Sequence, residues 1–369
     1  VSGRTILFAG GGSGGHISPA LAIAEAIETI DDDATLLFAC SDRDIDRDML
    51  NESGHAAIPL PARPPSLRPN HLMRFLRGFR ASRRVVRSLI EQRHIDVTIL
   101  LGGYVAAPAA AASRSAGVPS MMVNLDRVPG RANRWMRPSA SLVVSAVQTV
   151  RPFAESVTGM PIRRAAMPPA DAAECRRMLG FDSDRPTLII TGASQGAGTI
   201  NTLMPPLAAA HRDLLAPWQI LHLTGPAAAE RAGEQWKRVG IEATVLGFRH
   251  DMGVVWGSGD LVISRAGACS VAEIEYAGLP AIYLPYPHHR DQHQLRNAEP
   301  AAAAGAAIIV EDDTDPVTTA DRLIERARGL LGRSEQLKAM QQAAAARSGK
   351  NAADDLARRG LSLIGSGGP

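Results

Sequence analysis

A chain of 369 residues is long for one hydrophobic core, and a split into two domains is the expectation. Its formal net charge of +3 is small for that length, and no nucleic-acid partner is expected, although nine arginines from Arg63 to Arg93 make one local basic stretch. Cys40, Cys175 and Cys269 are odd in number and far apart, which argues against a zinc site or a disulfide framework and fits a reducing compartment such as the cytoplasm.

Helix-period and strand-like segments alternate along the chain, the pattern of α/β lobes with parallel sheets. In the first half, strands are expected near 5–9, 34–39, 96–101, 119–123 and 141–145, and helices near 19–30, 71–92, 107–116 and 130–136. The first strand opens the sequence without the basic, apolar and small-residue succession of a signal peptide. The longest charge-free apolar stretch, Val97 to Ser113, is interrupted by Gly102, Gly103 and Pro108, so no bilayer-spanning segment is expected. Proline-rich and charged sequence over 158–186 reads as a linker after a first domain of 1–157. A second series follows, with strands near 187–191, 218–223, 243–246, 260–263, 281–284 and 306–309, and helices near 198–212, 227–238, 270–277 and 292–303. This second domain is expected over 187–340, with a helical segment and a disordered Gly-Ser-Gly-Gly-Pro tail over 341–369. Two such doubly wound halves would bind a ligand at the carboxyl ends of their strands.

Each half carries a glycine loop between a strand and a helix: Gly10-Gly11-Gly12-Ser13-Gly14-Gly15-His16 and Gly192-Ala193-Ser194-Gln195-Gly196-Ala197-Gly198. Such a loop presents unpaired backbone N–H groups and a partial positive charge to an anion, so a phosphate-bearing ligand is expected. Gly10, Gly12 and Gly15 also match the dinucleotide fingerprint, with Asp42 as a ribose-binding acid. His16 tilts the reading toward group transfer, because an imidazole at the helix start can act as a general base near neutral pH. In the second half, Gly267 and Ala268 precede a helix bearing Glu273, followed by Asp291, His293, Gln294 and Asn297. A carboxylate there can accept both ribose hydroxyls, and the amides can bond sugar hydroxyls; a purely electrostatic role for Glu273 at the helix start is the duller alternative. His288 and His289 point in different directions and lack a second pair at helical spacing, so no metal site is expected there.

Taken together, these motifs resemble the MurG family of inverting N-acetylglucosaminyltransferases. The resemblance rests on Gly11 to His16 with Pro19-Ala20-Leu21-Ala22, Gly102-Gly103-Tyr104-Val105, Val128-Pro129-Gly130 with Ala132-Asn133-Arg134, Ser194 to Ala197, Gly267-Ala268, Glu273-Ile274, Ala277 to Pro280, and Asp291, His293, Gln294 and Asn297. It implies two Rossmann-like lobes of the GT-B type with a cleft between them. The second lobe would hold UDP-N-acetylglucosamine and the first would hold undecaprenyl-pyrophosphoryl-N-acetylmuramoyl-pentapeptide, at the cytoplasmic face of a membrane. By matching position, Glu273 would bind the ribose. Ser194 and Gln195 would meet the pyrophosphate region, Ser13, Gly14, Gly196, Gly267 and Ala268 would also bind the donor, and Arg163 would lie near the nucleotide. The backbone at Phe248 and Arg249 would meet uracil, and His293, Gln294 and Asn297 the donor sugar. Gly14, Gly15, Gly103, Tyr104, Asp126 and Asn133 would form the acceptor side, with His16 at the acceptor hydroxyl. No tightly bound cofactor is implied, since loop amides, helix N-termini and Arg163 can stabilise the leaving group, with room for stimulation by a divalent cation.

The family usually has His-Glu-Gln-Asn before its Val-Pro-Gly, where this chain has Val123-Asn124-Leu125-Asp126. The departure lies on the acceptor side, and Asp126 is the candidate replacement carboxylate, orienting His16 or meeting the acceptor. Ala193 stands for a glycine and Met160 for an asparagine; the first matters only if residue 193 needs positive φ. Leu72, Phe75, Leu76, Phe79, Val86 and Ile90 recur at helical spacing beside Arg77, Arg80, Arg84 and Arg87. That helix either packs on its lobe with solvated arginines or meets anionic lipid headgroups. The rivals are a related GT-B transferase with another lipid or glycoside acceptor, a nucleotide-sugar-binding protein without turnover, and, furthest behind, a dinucleotide oxidoreductase.

Overall fold

The computed structural model describes residues 3–11, 15–64, 69–193, 196–288, 291–313 and 315–365. Ser13, Gly14, Ser194, Gln195, His289 and the last four residues of the glycine-rich tail lie outside the described residues.

Short apolar runs become strands and the amphipathic segments between them become helices, since every strand of a parallel sheet must be covered on both faces. The first series is β1 (Thr5–Ala9), α1 (Ile17–Ile30), β2 (Thr35–Cys40), α2 (Asp44–Glu52), β3 (Ala57–Pro59), α3 (Pro69–Arg93), β4 (Val97–Leu100), α4 (Gly103–Ser115), β5 (Ser120–Asn124), α5 (Arg131–Met136), β6 (Leu142–Ser145) and β7 (Ser156–Val157). The second is α6 (Ala172–Met178), β8 (Thr187–Thr191), α7 (Gly198–Ala210), α8 (Arg212–Leu215), β9 (Gln219–Leu223), α9 (Ala229–Arg238), β10 (Thr244–Leu246), α10 (Met252–Ser258), β11 (Leu261–Ser264), α11 (Ala268–Tyr276), β12 (Ala281–Tyr283), α12 (His293–Ala303), β13 (Ala307–Ile309), α13 (Pro316–Leu331), α14 (Glu335–Ala345) and α15 (Ala353–Ser362).

Two compact units result, Val1–Arg163 with Asn351–Pro369, and Arg164–Lys350. In the first, the strand order is β3-β2-β1-β4-β5-β6-β7, and in the second β10-β9-β8-β11-β12-β13. All pairings are parallel, with Ala9 opposite Ala39 and Leu100 in one sheet and Thr191 opposite Leu223 and Ser264 in the other. The strand order reverses direction between β1 and β4, and again between β8 and β11. These are the switch points where a doubly wound sheet opens a crevice at its carboxyl edge. Leu7, Leu100, Val105 and Met122 lie in the core of the first unit; Ile190, Trp218, Leu221, Trp256, Ile263 and Ile282 lie in the core of the second.

The expected linker over 158–186 is corrected by this division. Residues 164–186 belong to the second unit, where the Arg176 guanidinium donates to the carbonyls of Ser183 and Ser258 and to Asp260. Asp171 caps α6 by accepting from the Glu174 amide at 2.9 Å, so a charged, proline-rich segment is fixed by polar ties that its composition does not announce. The expected segment 341–369 is also divided. Its last helix, α15, returns to the first unit and packs on α1, and Gly360 lets it approach Ile99 and Met121 of the sheet. The Asn351 side chain accepts from the Ile162 amide and donates to the Ile162 carbonyl, both at 2.9 Å, pinning the returning chain.

Candidate functional site

In the first unit the site is built on the turns after β1, β4 and β5. His16 is half-buried and directly precedes α1. Glycines surround it: a side chain at Gly10 would stand 3.3 Å from its Cβ, and one at Gly102 would stand 3.3 Å from its Nε2. Gly102 and Gly103 both hold positive φ, +103° and +76°, so this turn both needs glycine and leaves room for the imidazole. His16 Nδ1 is buried and has no hydrogen-bond partner among the described residues. Desolvation lowers the imidazole pKa below its ordinary value, while the negative charges of Asp126 and Asp46 pull in the opposite direction. The ring is therefore held neutral, able to take a proton, with two carboxylates in electrostatic reach.

Asp126 follows β5 and is half-buried. The turn that carries it is fixed by Asn124, whose side chain is fully buried and donates to the Asp126 carbonyl at 2.7 Å and to Ser145 Oγ at 2.9 Å. Asn133 donates in turn to Asn124 Oδ1 at 3.1 Å. Asn124 is thus spent on holding the turn, and the amide group of Asn133, expected on the acceptor side, points into the same network. Gly15 and Tyr104 are half-buried, on the turn before α1 and in the first turn of α4.

A residue that the sequence reading passed over is Asp46. It is fully buried in the first turn of α2 and accepts from Ser41 Oγ at 2.6 Å. A side chain at Gly11 would stand 2.5 Å from its Oδ2, so this carboxylate supports the first glycine loop from below. Asp42, the expected ribose acid of the dinucleotide fingerprint, instead faces out and pairs with Arg63 at 2.7 Å. The local signal for both is one Asp-rich stretch; only the packing separates them.

In the second unit, Gly196 has φ +74°, and any side chain there would meet the Thr224 carbonyl at 1.8 Å. Ala193 has φ +65°, so the position filled by alanine is one that needs positive φ, at a cost of about 1–2 kcal/mol for an L side chain. The residues before α7 and α11 are Ala197 and Gly267, which have no polar side chain to cap the helix amides. Ala268 begins α11, and Glu273 lies in its second turn, only 8% exposed. At that position the helix dipole contributes little, so a purely electrostatic role at the helix start is weakened. One oxygen of Glu273 accepts from the Trp256 indole at 3.0 Å.

Further along, His293 Nδ1 lies 2.9 Å from Asp291 Oδ1 at the start of α12. Gln294 accepts from the Tyr286 amide at 2.9 Å, and buried Asn297 reaches toward the Ala266 carbonyl at 3.4 Å, beside the Gly267 turn. Arg265 holds the end of β11 through Asp312 at 2.6 Å and the Leu284 carbonyl at 2.8 Å. Arg249 makes a two-point contact with Asp251, which lowers the Asp251 pKa, and Phe248 packs edge-on to His250. Arg163, the last residue of the first unit, is buried. His288 packs edge-on to Tyr286.

Residues 6–145 match the glycosyltransferase family 28 N-terminal domain and residues 187–356 the glycosyltransferase family 28 C-terminal domain. The chain is 35% identical, over 97% of its length and 98% of the relative's, to the UDP-N-acetylglucosamine--N-acetylmuramyl-(pentapeptide) pyrophosphoryl-undecaprenol N-acetylglucosamine transferase of Nocardioides sp. (strain ATCC BAA-499 / JS614). It is 30% identical, over 95% of each chain, to the protein of the same name from Streptomyces coelicolor. Among solved structures it resembles Acinetobacter baumannii MurG, with TM-score 0.71 and 24% identity over 97% of this chain and 99% of that one. It also resembles the UDP-GlcNAc 2-epimerase from Neisseria meningitidis bound to UDP-GlcNAc, with TM-score 0.68 and 13% identity over 97% and 100% of the two chains. Two parallel α/β units with family-28 sequence in both, and full-length relatives at this identity, place the chain in the MurG family of GT-B glycosyltransferases.

Proposed function

We propose that the chain transfers N-acetylglucosamine from UDP-N-acetylglucosamine to the C4 hydroxyl of lipid-linked N-acetylmuramoyl-pentapeptide, with inversion. The seat of His16 carries this reading for the chemistry: a neutral, desolvated imidazole in a glycine cradle, with Asp126 and Asp46 acting on its charge. In the transfer, His16 takes the proton of the acceptor hydroxyl, the hydroxyl oxygen bonds to the anomeric carbon, and UDP leaves with the electron pair of the glycosidic bond. Asp126 stabilises the imidazolium as it forms. Glu273 accepts from the ribose hydroxyls, and the amides before α7 and α11, with Arg163, stabilise charge on the leaving diphosphate. The second loop's Ser194 and Gln195, and Ser13 and Gly14 of the first, belong to the same phosphate-binding set. His293, Gln294 and Asn297 face the donor sugar in this reading, and the backbone of Phe248 and Arg249 the uracil. A divalent cation is left at most a stimulating role, and nucleic acid has none.

No helix among the described residues is long and apolar enough to cross a membrane. A lipid-linked acceptor then requires a docking face, and α3 supplies the candidate. Leu72, Met73 and Leu76 are exposed along it, Trp135 is 56% exposed and packs edge-on to Phe79, and Arg74, Arg77, Arg80, Arg83 and Arg84 are exposed on the same helix. Apolar side chains flanked by cations suit an anionic membrane surface. The chain is expected to sediment with anionic vesicles at low salt, and Leu76→Glu to weaken this severalfold. Absence of vesicle binding by the unsubstituted protein would remove the membrane reading.

The transfer itself is tested by UDP release from UDP-N-acetylglucosamine, with and without a short-chain lipid I analogue. Release should depend on the acceptor, and His16→Ala should reduce it by about 10²–10⁴, the usual worth of a general base. Donor binding without acceptor-dependent release would leave a UDP-sugar site and reject this acceptor, pointing to another lipid or glycoside or to a binding role.

A further inference from the structure

The second glycine loop is closed on itself and then fastened from outside. Gly196 donates its amide to the Ala193 carbonyl at 2.9 Å, and the Ala193 amide donates to Thr191 Oγ1 at 3.1 Å. Gly196 packs so closely on the Thr224 carbonyl that a Cβ there would stand 1.8 Å from its oxygen. Asn201, in the first turn of α7, donates to the same carbonyl at 2.8 Å, so one oxygen meets both the loop and the helix that follows it. Behind Asn201 stand His222 of β9 and Trp236 of α9. His222 Nε2 lies 3.2 Å from Asn201 Oδ1, and the Trp236 indole donates to His222 Nδ1 at 3.0 Å.

Chemistry fixes every direction in this row. An indole only donates, so Nδ1 accepts and the imidazole proton sits on Nε2; a carbonyl only accepts, so the Asn201 amino group faces Thr224 and its oxygen faces that proton. Trp236, His222, Asn201 and Thr224 are all buried, so a bond lost here leaves a desolvated group unpaired.

We propose that His222 is a positioning residue for diphosphate recognition: through Asn201 and the Thr224 carbonyl it holds Gly196, and with it the second glycine loop, in the shape that receives a nucleoside diphosphate. This rests on the reading of that loop as part of the phosphate-binding set. His222 is fully buried and acts without touching the ligand. A loop released from Thr224 would have to be ordered at the expense of binding energy. The property that His222 governs is therefore the gain in affinity from uridine to UDP, because uridine carries no phosphate for the loop to hold.

The test measures the affinities of UDP and uridine for the unsubstituted chain, His222→Asn, His222→Gln and Ser194→Asp, with thermal melting as the check on folding. His222→Asn keeps an acceptor for Trp236 but is too short to reach Asn201. It is expected to weaken UDP about three- to tenfold, the scale of one buried hydrogen bond, and to leave uridine within about twofold. His222→Gln sets an amide N–H near the place of Nε2 and should keep UDP within about twofold of the unsubstituted chain. Ser194→Asp brings a like charge to the loop and should lower the ratio of UDP to uridine affinity by about tenfold or more. If Ser194→Asp lowers this ratio and His222→Asn preserves it, or if the Asn and Gln variants lose it equally, His222 has no positioning role while the loop reading stands. If Ser194→Asp preserves the ratio, the loop does not hold the diphosphate and this inference fails with it. Should neither His222 variant fold, the Nε2–H resonance of His222 in the unsubstituted chain, identified by its shift in Trp236→Phe, serves instead. It should move on adding UDP and stay in place with uridine, and an equal response to both would overturn the proposal.

Discussion

His16 and Asp126 are the residues whose relation is most open to measurement. Desolvation lowers the His16 pKa and the Asp126 charge partly restores it, so removing that charge should lower it further. In the Asp126→Asn variant we expect the acid limb of kcat/KM to move to lower pH, together with a fall in the plateau rate, because the forming imidazolium loses its counter-charge. A pH profile that keeps its acid limb and plateau would deny Asp126 any part in the chemistry. His16, Asp126 and Glu273 stand out as candidates in the sequence because each follows a strand or a glycine turn at a recognisable spacing. Asp46 and Trp256 were not, because what distinguishes them is burial beneath Gly11 and against Glu273, and burial at a distance leaves no local pattern. Ala193 shows the opposite limit: its residue type was plain, but only the fold reveals that its φ is +65°.

Among the elements, the long apolar strands were legible from their hydrophobic runs, and the helices at the two glycine loops from their position after them. Short β3 and β7 and the short helices α2, α6 and α10 were not, since edge strands of two or three residues and helices of seven to nine residues carry little periodic signal. The helix after the second glycine loop depends on one further device. His222 of β9 is fully buried; its Nδ1 accepts from the Trp236 indole at 3.0 Å, so its proton is on Nε2, 3.2 Å from Asn201 Oδ1. Asn201, in the first turn of α7, donates to the Thr224 carbonyl at 2.8 Å, the same carbonyl against which Gly196 rests. Burial pushes the His222 pKa down from 6.5 to about 4. The unfolded chain takes up this proton below 6.5 while the folded one does not. The stability contribution is therefore complete above that pH and lost as pH falls toward 4, on the order of 3 kcal/mol in all. Urea unfolding of the unsubstituted chain and His222→Gln between pH 7 and 4 should show a steeper loss in the former. Parallel curves would mean that His222 titrates normally in the fold.

At the scale of the whole chain, the same strand order is built twice, 3-2-1-4-5-6, and the second copy is continuous while the first is not. Alternating elements made the two lobes legible, but the return of the last helix to the first lobe is a tertiary choice. It is made by which surface buries Leu356, Ala357 and Gly360, and no spacing within the segment encodes that. The consequence is that the first unit is completed only when the C-terminus is present. Burying one leucine contributes about 2 kcal/mol, and α15 adds the alanines beside it and the Asn351 tie to Ile162, a large part of the 5–15 kcal/mol that holds an ordinary domain together. Residues 1–350 should therefore show an early unfolding transition for the first unit and an unshifted one for the second, which ends at Lys350. Calorimetry of residues 1–350 beside the full chain and residues 164–350 alone separates the two transitions, and a synthetic peptide of residues 351–369 added in trans should restore the first. If residues 1–350 unfold as the full chain does, the helix is an accessory to a lobe already complete, and its packing on α1 contributes far less than its buried side chains indicate.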